Sequence, residues 1–393
     1  MSEPWLSIIG VTDDGPDGLA PASLRALHAA EVVIGAPRHL ALLGVTGLEW
    51  PVPFSLDPVL QNRGRKVAVL ASGDPFWFGA GGALASRLSP SEWCAFPAPS
   101  IFSLAASALG WRLEEALCLG LHAAPFSRLR PLLARGQKLI CTLRDGESVQ
   151  ELASYLTNQG FGPSEITLLE ALGGPRQRNR NFTAEAVGDE QFISPVAAAI
   201  LARGAPGFPR ASGLDDALFS HDGQITKRPI RALTLSALAP RPNETLWDIG
   251  TGSGSVSVEF LLAAPGSSAH ALEADSTRAA RARDNAAAFG LAHRYHLTES
   301  RAPEGLTALP PPDAVFIGGG ASQTLFDALW PLLPAGARLV ANAVTLENET
   351  LFAQLSARHG GSLLRIELSE AQPLGTKRGW QPLRPIVQWS VTK

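Results

Sequence analysis

Cysteine is scarce in this chain of 393 residues: only Cys94, Cys118 and Cys141 are present, with no C-x-x-C pair among them. Three thiols cannot all be bridged to one another, which excludes a secreted disulfide framework and suits reduced cysteines in the cytoplasm. An excess of one charge is also missing. Thirty-three basic side chains against thirty-six acidic ones leave −3, so no global field draws nucleic acid or an anionic membrane, and a polyanionic ligand requires a local basic patch. Long apolar runs are lacking as well. The longest uncharged stretch, Trp93 to Trp111, carries Pro97, Pro99 and three serines, a poor membrane span beside strand, turn and buried helix. Met1 to Trp5 contains Glu3 and no basic cluster, so no secretory leader is expected.

What is present is material for real cores, with 45% hydrophobic and 18% charged residues. At roughly 150 residues per domain the length calls for two. From Trp5 onward short apolar runs alternate with helical patterns, the reading of an α/β protein with largely parallel strands. Strands are expected at Leu6 to Val11, Val67 to Ala71, Lys138 to Thr142 and Ile166 to Leu169, and helices at Ala22 to Ala30, Gly81 to Leu88, Ile101 to Leu109 and Val149 to Asn158. Gly204, Pro206, Gly207, Pro209 and Gly213 then interrupt the pattern. This places a first domain at 1–205, a linker at 206–213 and a second domain at 214–393.

The second alternation opens with a helix from Pro229 to Ala239, proline suiting a first turn. Strands follow at Thr245 to Asp248, Ala269 to Leu272, Ala314 to Ile317 and Arg338 to Ala341, with helices at Ser255 to Ala263, Thr277 to Phe289, Gln323 to Leu332 and Glu347 to Arg358. This reads as one doubly wound unit. Ser362 to Leu368 and Pro385 to Val391 are expected to close it as a terminal hairpin. The halves show no direct repeat and read as different folds joined end to end.

The sharpest local signal is Leu246-Trp247-Asp248-Ile249-Gly250-Thr251-Gly252-Ser253-Gly254-Ser255, a buried strand running into glycines that open a helix. Glycines let the backbone turn sharply and approach a ligand, and the helix start offers free N–H groups. A nicotinamide fingerprint wants G-x-G-x-x-G, but Ser255 stands at the last glycine, so the fit is G-x-G-x-G. That form, with an acid two residues before the first glycine and another ending the next strand, resembles the class I S-adenosylmethionine-dependent methyltransferases. Glu273 is then placed to accept hydrogen bonds from ribose hydroxyls, as the acid does in dinucleotide folds. Asp275 is its rival. Enzymes of this kind that modify exocyclic amines usually carry Asn/Asp-Pro-Pro-Tyr/Phe after the fourth strand. Pro312 to Gly320, Pro-Asp-Ala-Val-Phe-Ile-Gly-Gly-Gly, holds that place here, which argues against an adenine or glutamine amide acceptor. Gly318 to Gly320 leave room for a bulky acceptor or make a flexible turn.

Gln224-Ile225-Thr226-Lys227-Arg228-Pro229-Ile230-Arg231-Ala232-Leu233-Thr234-Leu235, the glycine loop, Pro312 to Gly320 and Val340-Ala341-Asn342-Ala343-Val344-Thr345-Leu346-Glu347 together resemble the decarboxylating precorrin methyltransferases of corrin biosynthesis. Ile9-Gly10-Val11-Thr12-Asp13-Asp14-Gly15, Leu70-Ala71-Ser72-Gly73-Asp74-Pro75 and Phe96 to Gly110 resemble the tetrapyrrole methylases, their usual fused partner. Almost the whole chain is covered. The resemblance implies a tetrapyrrole-methylase-like α/β domain followed by a Rossmann-like class I domain. It also implies S-adenosylmethionine at two sites, one per domain, methylation of a precorrin at C5 and C15, and loss of the C12 acetate carboxylate.

By the same resemblance Ser72, Gly73, Asp74, Trp77, Ser100 and Ile101 meet the donor in the first domain. Thr226, Gly250, Thr251, Gly252, Ser253, Gly254, Glu273 and Ala302 meet it in the second. Ser-Gly-Asp-Pro alone would be an ordinary β-turn. Two positions depart from the family: Gly120-Leu121-His122-Ala123-Ala124 replaces Ser-Leu-His-Gly-Arg, and Arg301 stands where an aspartate is common. A rim of substrate carboxylates calls for cationic forks, for which Lys227, Arg228 and Arg231 are the candidates, with Lys377 and Arg378 near the end. No nucleophile is required, and no proton-transfer residue is assigned. His122, His221 and His296 lack metal-ligand spacing and are read as structural or surface groups. The expected partner is a small-molecule tetrapyrrole, without nucleic acid, membrane or metal, and a homo-oligomer is left open. The rival reading is a class I nucleic-acid methyltransferase with an amino-terminal binding module. The missing amine motif and the charge balance count against it.

Overall fold

The computed structural model describes residues 3–188 and 190–393, so the first two positions of the segment read for a leader lie outside the described residues. The chain forms two compact units, Met1–Phe126 with Leu133–Pro206, and Ser127–Leu132 with Gly207–Lys393. Among the described residues no helix is long and apolar enough to cross a membrane.

In the first unit β1 (Leu6–Val11), β2 (Val32–Gly35), β3 (Leu48–Glu49), β4 (Val67–Ser72) and β5 (Trp93–Phe96) form a parallel sheet in the order β3-β2-β4-β1-β5. The centre is the pair LSIIGV and VAVLAS, buried along nearly its whole length. Such continuous apolar runs suit strands covered on both faces. A second sheet contains β6 (Ala116–Gly120), β7 (Lys138–Thr142), β8 (Glu165–Glu170), β9 (Arg178–Thr183) and β10 (Val196–Leu201), ordered β6-β7-β10-β8-β9. Only β6 and β7 run parallel; the other three pairings are antiparallel. The expectation of largely parallel strands is therefore corrected for this sheet. β8 returns as β9 through the short loop 171–177, too short for a parallel crossover.

The second unit contains β11 (Thr245–Ile249), β12 (Ser268–Glu273), β13 (Tyr295–Glu299), β14 (Ala314–Ile317), β15 (Arg338–Ala343), β16 (Ser362–Ile366), β17 (Ser369–Leu374), β18 (Lys377–Pro382) and β19 (Ile386–Thr392). Seven of these make one sheet, β13-β12-β11-β14-β15-β19-β16, in which β11 to β15 are parallel and β19 is antiparallel to both neighbours. One core joins this sheet to helices Arg228–Leu238, Ser255–Ala263 and Ser276–Ala288, and the opposite core joins it to Gln323–Leu329 and Leu346–His359. The strand order reverses between β11 and β14. A crevice opens there, outside the carboxyl ends of the strands. The terminal hairpin is corrected in one respect: β16 and β19 do pair, but β17 and β18 intervene as their own two-stranded ribbon turning at Gly375, φ +59°.

Candidate active site

The loop after β11 is held open by backbone conformation. Gly250, Gly252 and Gly254 have φ of +68°, +58° and +73°, a region that side chains with a Cβ rarely enter. A Cβ at Gly250 would stand 2.9 Å from the Gly319 carbonyl oxygen, so the two glycine segments must touch. At Gly252 the nearest atom would be the Gln224 carbonyl oxygen at 3.9 Å, an uncrowded contact. Gly250 fits backbone to backbone, whereas Gly252 leaves a ligand room to approach.

Glu273 ends β12 beside that loop, 7% exposed, and accepts from Gly252 N at 2.9 Å and from Asp275 N at 3.1 Å. Both oxygens keep a lone pair for further donors. Asp275, its rival, accepts instead from Arg278 N at 3.0 Å as the N-cap of helix Ser276–Ala288. Beneath the loop Asp248 Oδ2 accepts from the Thr251 and Ser257 hydroxyls at 2.7 and 2.6 Å, while buried Oδ1 has no partner among the described residues. Burial, reinforced by the charge of Glu273, pushes the Asp248 carboxyl up to about 6 against the hydrogen bonds that lower it. The Tyr295 hydroxyl, which sequence reasoning missed, lies 3.2 Å from Thr251 Oγ1. Burial raises its pKa, which keeps it a neutral support for the loop. A tyrosine at the start of a short strand carries no sequence signal for that task.

The glycine loop and Glu273 line a cleft of about 1540 Å³, with Asp248 and Tyr295 behind the loop. Thr226, Gly250, Thr251, Gly252, Ser253, Glu273 and Ala302 all face it; Gly254 lies behind, as the residue preceding helix Ser255–Ala263. The lining also includes Gly318 to Gly320, which touch the loop at Gly250, and Phe316, Asn342, Val344, Ile366, Leu383 and Ile386. Lys227 and Arg228 reach the cleft, and so do Arg301 and Arg384, two cations not assigned to it from sequence. All four are exposed and make no ion pair among the described residues. Arg384 was unreadable because only the return of β19 into the sheet brings its loop to the cleft.

Arg231 is corrected as a substrate ligand. Its side chain is wholly buried, paired with Glu259 at 2.5 Å and Asp216 at 3.0 Å, and donates to the carbonyls of Thr226 and Leu214. On helix Arg228–Leu238 the position faces the core, one helical turn from the cleft-facing Lys227. It anchors Thr226 from behind.

In the first unit Gly73, φ +56°, brings two motifs together: a Cβ there would lie 2.9 Å from Pro99 O and 3.1 Å from Ser100 Cα. Ser72 Oγ lies 3.0 Å from His39 Nε2 and 3.3 Å from Arg38, which pairs with Asp13. Burial, then the Arg38 charge, lowers the His39 pKa to about 4. Asp74 Oδ1 accepts from Phe76 N at 2.9 Å, closing the turn that leaves Phe76, Trp77 and Phe78 exposed. Trp77 leans on Phe102 with ring centres 5.0 Å apart. Ser100 uses its hydroxyl to cap helix Ile101–Leu109, accepting from Ser103 N at 3.1 Å, and Ile101 opens that helix.

A parallel sheet reversing at β11 and β14, a G-x-G-x-G loop at the reversal and an acid ending the neighbouring strand define a class I methyltransferase. The comparisons narrow the class. A family model described as precorrin methyltransferase domain matches residues 217–393, and one described as tetrapyrrole (corrin/porphyrin) methylases matches 56–187. The chain is 46% identical to a precorrin-6Y C(5,15)-methyltransferase [decarboxylating] of Sinorhizobium sp, over 99% of this chain and 97% of that protein. It is 38% identical to the protein of the same description from Mycobacterium tuberculosis (strain CDC 1551 / Oshkosh), over 98% and 99%. The solved C-terminal domain of precorrin-6Y C5,15-methyltransferase from Rhodobacter capsulatus is 54% identical, with all of that chain and 47% of this one covered at a TM-score of 0.46. The chain belongs to the decarboxylating precorrin-6Y C5,15-methyltransferase family.

Proposed function

We propose that this chain methylates precorrin-6Y at C5 and C15 and removes the carboxylate of the C12 acetate, in the cytoplasm, with one methyl-donor site in each unit. The observation that carries the reading is the large cleft of the second unit, lined by the glycine loop and by cations that make no ion pair among the described residues. Ligand pockets commonly hold roughly 300–1,000 Å³, so about 1540 Å³ has room for a donor and a large acceptor together. The second unit fits S-adenosylmethionine on three counts: Gly252 is uncrowded and faces the cleft, Glu273 retains acceptor capacity for ribose hydroxyls, and Thr226 and Ala302 line the same cleft. Ser72, Gly73, Asp74, Trp77, Ser100 and Ile101 are the corresponding candidates in the first unit.

The bound donor supplies an activated methyl group; the protein supplies alignment. Methyl transfer is an in-line displacement, so holding carbon and sulfonium in contact provides most of the acceleration. The acceptor carbon gives up a proton as its new C–C bond forms. In the decarboxylation the electrons of the breaking C–C bond flow into the protonated, conjugated macrocycle, carbon dioxide leaves, and a proton is taken up in its place. Phe316, Val344, Ile366, Leu383 and Ile386 make a dry wall that favours loss of a carboxylate charge. Lys227, Arg228, Arg301 and Arg384 offer charge-assisted bonds to the carboxylates that stay.

The test is mass spectrometry of the product formed from precorrin-6Y and isotopically labelled donor by the full-length protein. Two labelled methyl groups gained and one carbon dioxide lost is the expected result. An unmodified tetrapyrrole would overturn the reading.

A further inference from the structure

Where β15 borders the cleft, a polar network lies under it. Asn342 on β15 and Gln388 on β19 stand opposite each other in register. Gln388 Nε2 donates to Asn342 Oδ1 at 3.0 Å and reaches Thr234 Oγ1 at 3.2 Å, and Asn342 Nδ2 donates to Thr234 Oγ1 at 2.9 Å. Thr234, on helix Arg228–Leu238, is fully buried and Gln388 is 4% exposed, whereas Asn342 lines the cleft. Burying the two polar side chains of Thr234 and Gln388 costs desolvation that apolar residues at these positions would avoid, while a satisfied network locks its members in one orientation. What this network locks is the amide plane of Asn342.

Two further observations direct that amide to a ligand. Ala341 pairs with Ile317, so Asn342 stands level with Gly318, at the carboxyl end of the sheet where the crevice lies. An asparagine amide has two N–H donors and two acceptor lone pairs. The network uses one of each, and the other N–H and lone pair have no partner among the described residues.

We propose that Asn342 is a substrate-binding residue that hydrogen-bonds the macrocycle and sets the pose in which C15 and the acetate of the adjoining ring meet the chemistry, with Thr234 and Gln388 as its positioning residues. The inference rests on the reading of the function above. A partly reduced tetrapyrrole presents both N–H and imine nitrogen, and a fixed amide can give to one and accept from the other. Its neutrality matters. A cation here would bind the departing carboxylate most tightly before it reacts, and stabilising that ground state slows its loss.

The experiment uses the full-length protein with precorrin-6Y and labelled donor, following carbon dioxide and methyl count, with S-adenosylhomocysteine binding measured alongside. Asn342→Ala is expected to lower kcat/KM for carbon dioxide loss and the C15 methyl by about tenfold to a hundredfold. Donor affinity stays at the parent value and one methyl is still added. Gln388→Leu is expected to shift the same two steps in the same direction, mainly through KM. Asn342→Asp keeps the shape without the N–H donor and provides the readout if the alanine variant does not fold. Parent-level carbon dioxide loss and two methyl groups in both Asn342 variants would overturn the inference and leave the function intact. Donor affinity falling in step with turnover would also overturn it, by placing Asn342 in the donor site. Failure of the parent protein to turn over precorrin-6Y would instead remove the functional reading.

Discussion

Glu273 holds its carboxylate against the N–H groups of Gly252 and Asp275, so it shapes the glycine loop and presents acceptor capacity to the cleft at once. Glu273→Ala is expected to weaken S-adenosylhomocysteine binding to the second unit by about 1 to 3 kcal/mol, the cost of charge-assisted hydrogen bonds. Calorimetry showing unchanged binding at that site would take the role away from it. Asp248 makes a pH-dependent contribution of the opposite sense to an ion-paired carboxylate. Its folded pKa, raised to about 6 mainly by burial, lies above its ordinary value of 3.8. Its protonated form therefore stabilises the fold fully below pH 4, and that contribution is lost as pH rises through about 6. The difference amounts to something on the order of 3 kcal/mol. The thermal stability of full-length Asp248→Asn relative to the parent should accordingly improve between pH 4 and pH 7. A difference flat with pH would show that the carboxyl ionises freely in the fold.

Two kinds of cation stand within one turn at the start of helix Arg228–Leu238, separated by their partners and not by helical periodicity, which puts residues three and four apart on one face. Arg231 faces the core with Glu259 and Asp216, and Lys227 and Arg228 face the cleft. Removing one member of a buried ion pair leaves the other charged and unpartnered, which costs about 3 to 5 kcal/mol. Arg231→Ala is thus expected to lower the unfolding temperature of the second unit sharply in calorimetry. Glu259 also accepts from Gly213 N and Leu214 N, so the chain entering this unit loosens with it. A variant with parent-like melting and a raised KM for the precorrin would restore Arg231 as a substrate ligand. The β17 and β18 ribbon is a different case. Its residues are polar or exposed almost throughout, so no apolar alternation announced it, and only the two-residue turn at Gly375 and Thr376 marks it.

At the scale of the molecule, the proposal of one donor site per unit carries an expected division of labour. The meso carbons C5 and C15 lie on different edges of a rigid macrocycle, and one bound donor can be in line with only one of them. The second unit is expected to decarboxylate and to methylate C15, since the acetate lost sits on a ring adjoining that carbon, and the first unit to methylate C5. Asp74→Ala combined with Trp77→Ala removes the closed turn and the exposed ring of the first unit. Mass spectrometry of the product should then show one labelled methyl and one carbon dioxide lost. A variant that releases no carbon dioxide, or still adds both methyl groups, would overturn the assignment.

Apolar runs and glycines already determine much of this in the sequence. LSIIGV, VAVLAS and TLWDI are strands because so continuous an apolar stretch between turns can only be buried, and Gly250, Gly252 and Gly254 mark positive φ wherever they fold. Glu273 and Asp275 were both candidates in the sequence, and only their hydrogen bonds in the fold tell them apart, Glu273 turned to the loop at Gly252 and Asp275 capping the next helix. What tertiary structure decided depends on partners distant in the chain. Arg231 and Lys227 look alike as letters, and only Glu259 and Asp216 make one structural and leave the other free. Asn342, Thr234 and Gln388 are unremarkable singly. They become a network only because β19 inserts antiparallel beside β15, under helix Arg228–Leu238. The antiparallel pairings of β8, β9 and β10 were hidden for the same reason: strand direction is set by loop length and sheet neighbour, and an apolar run records neither.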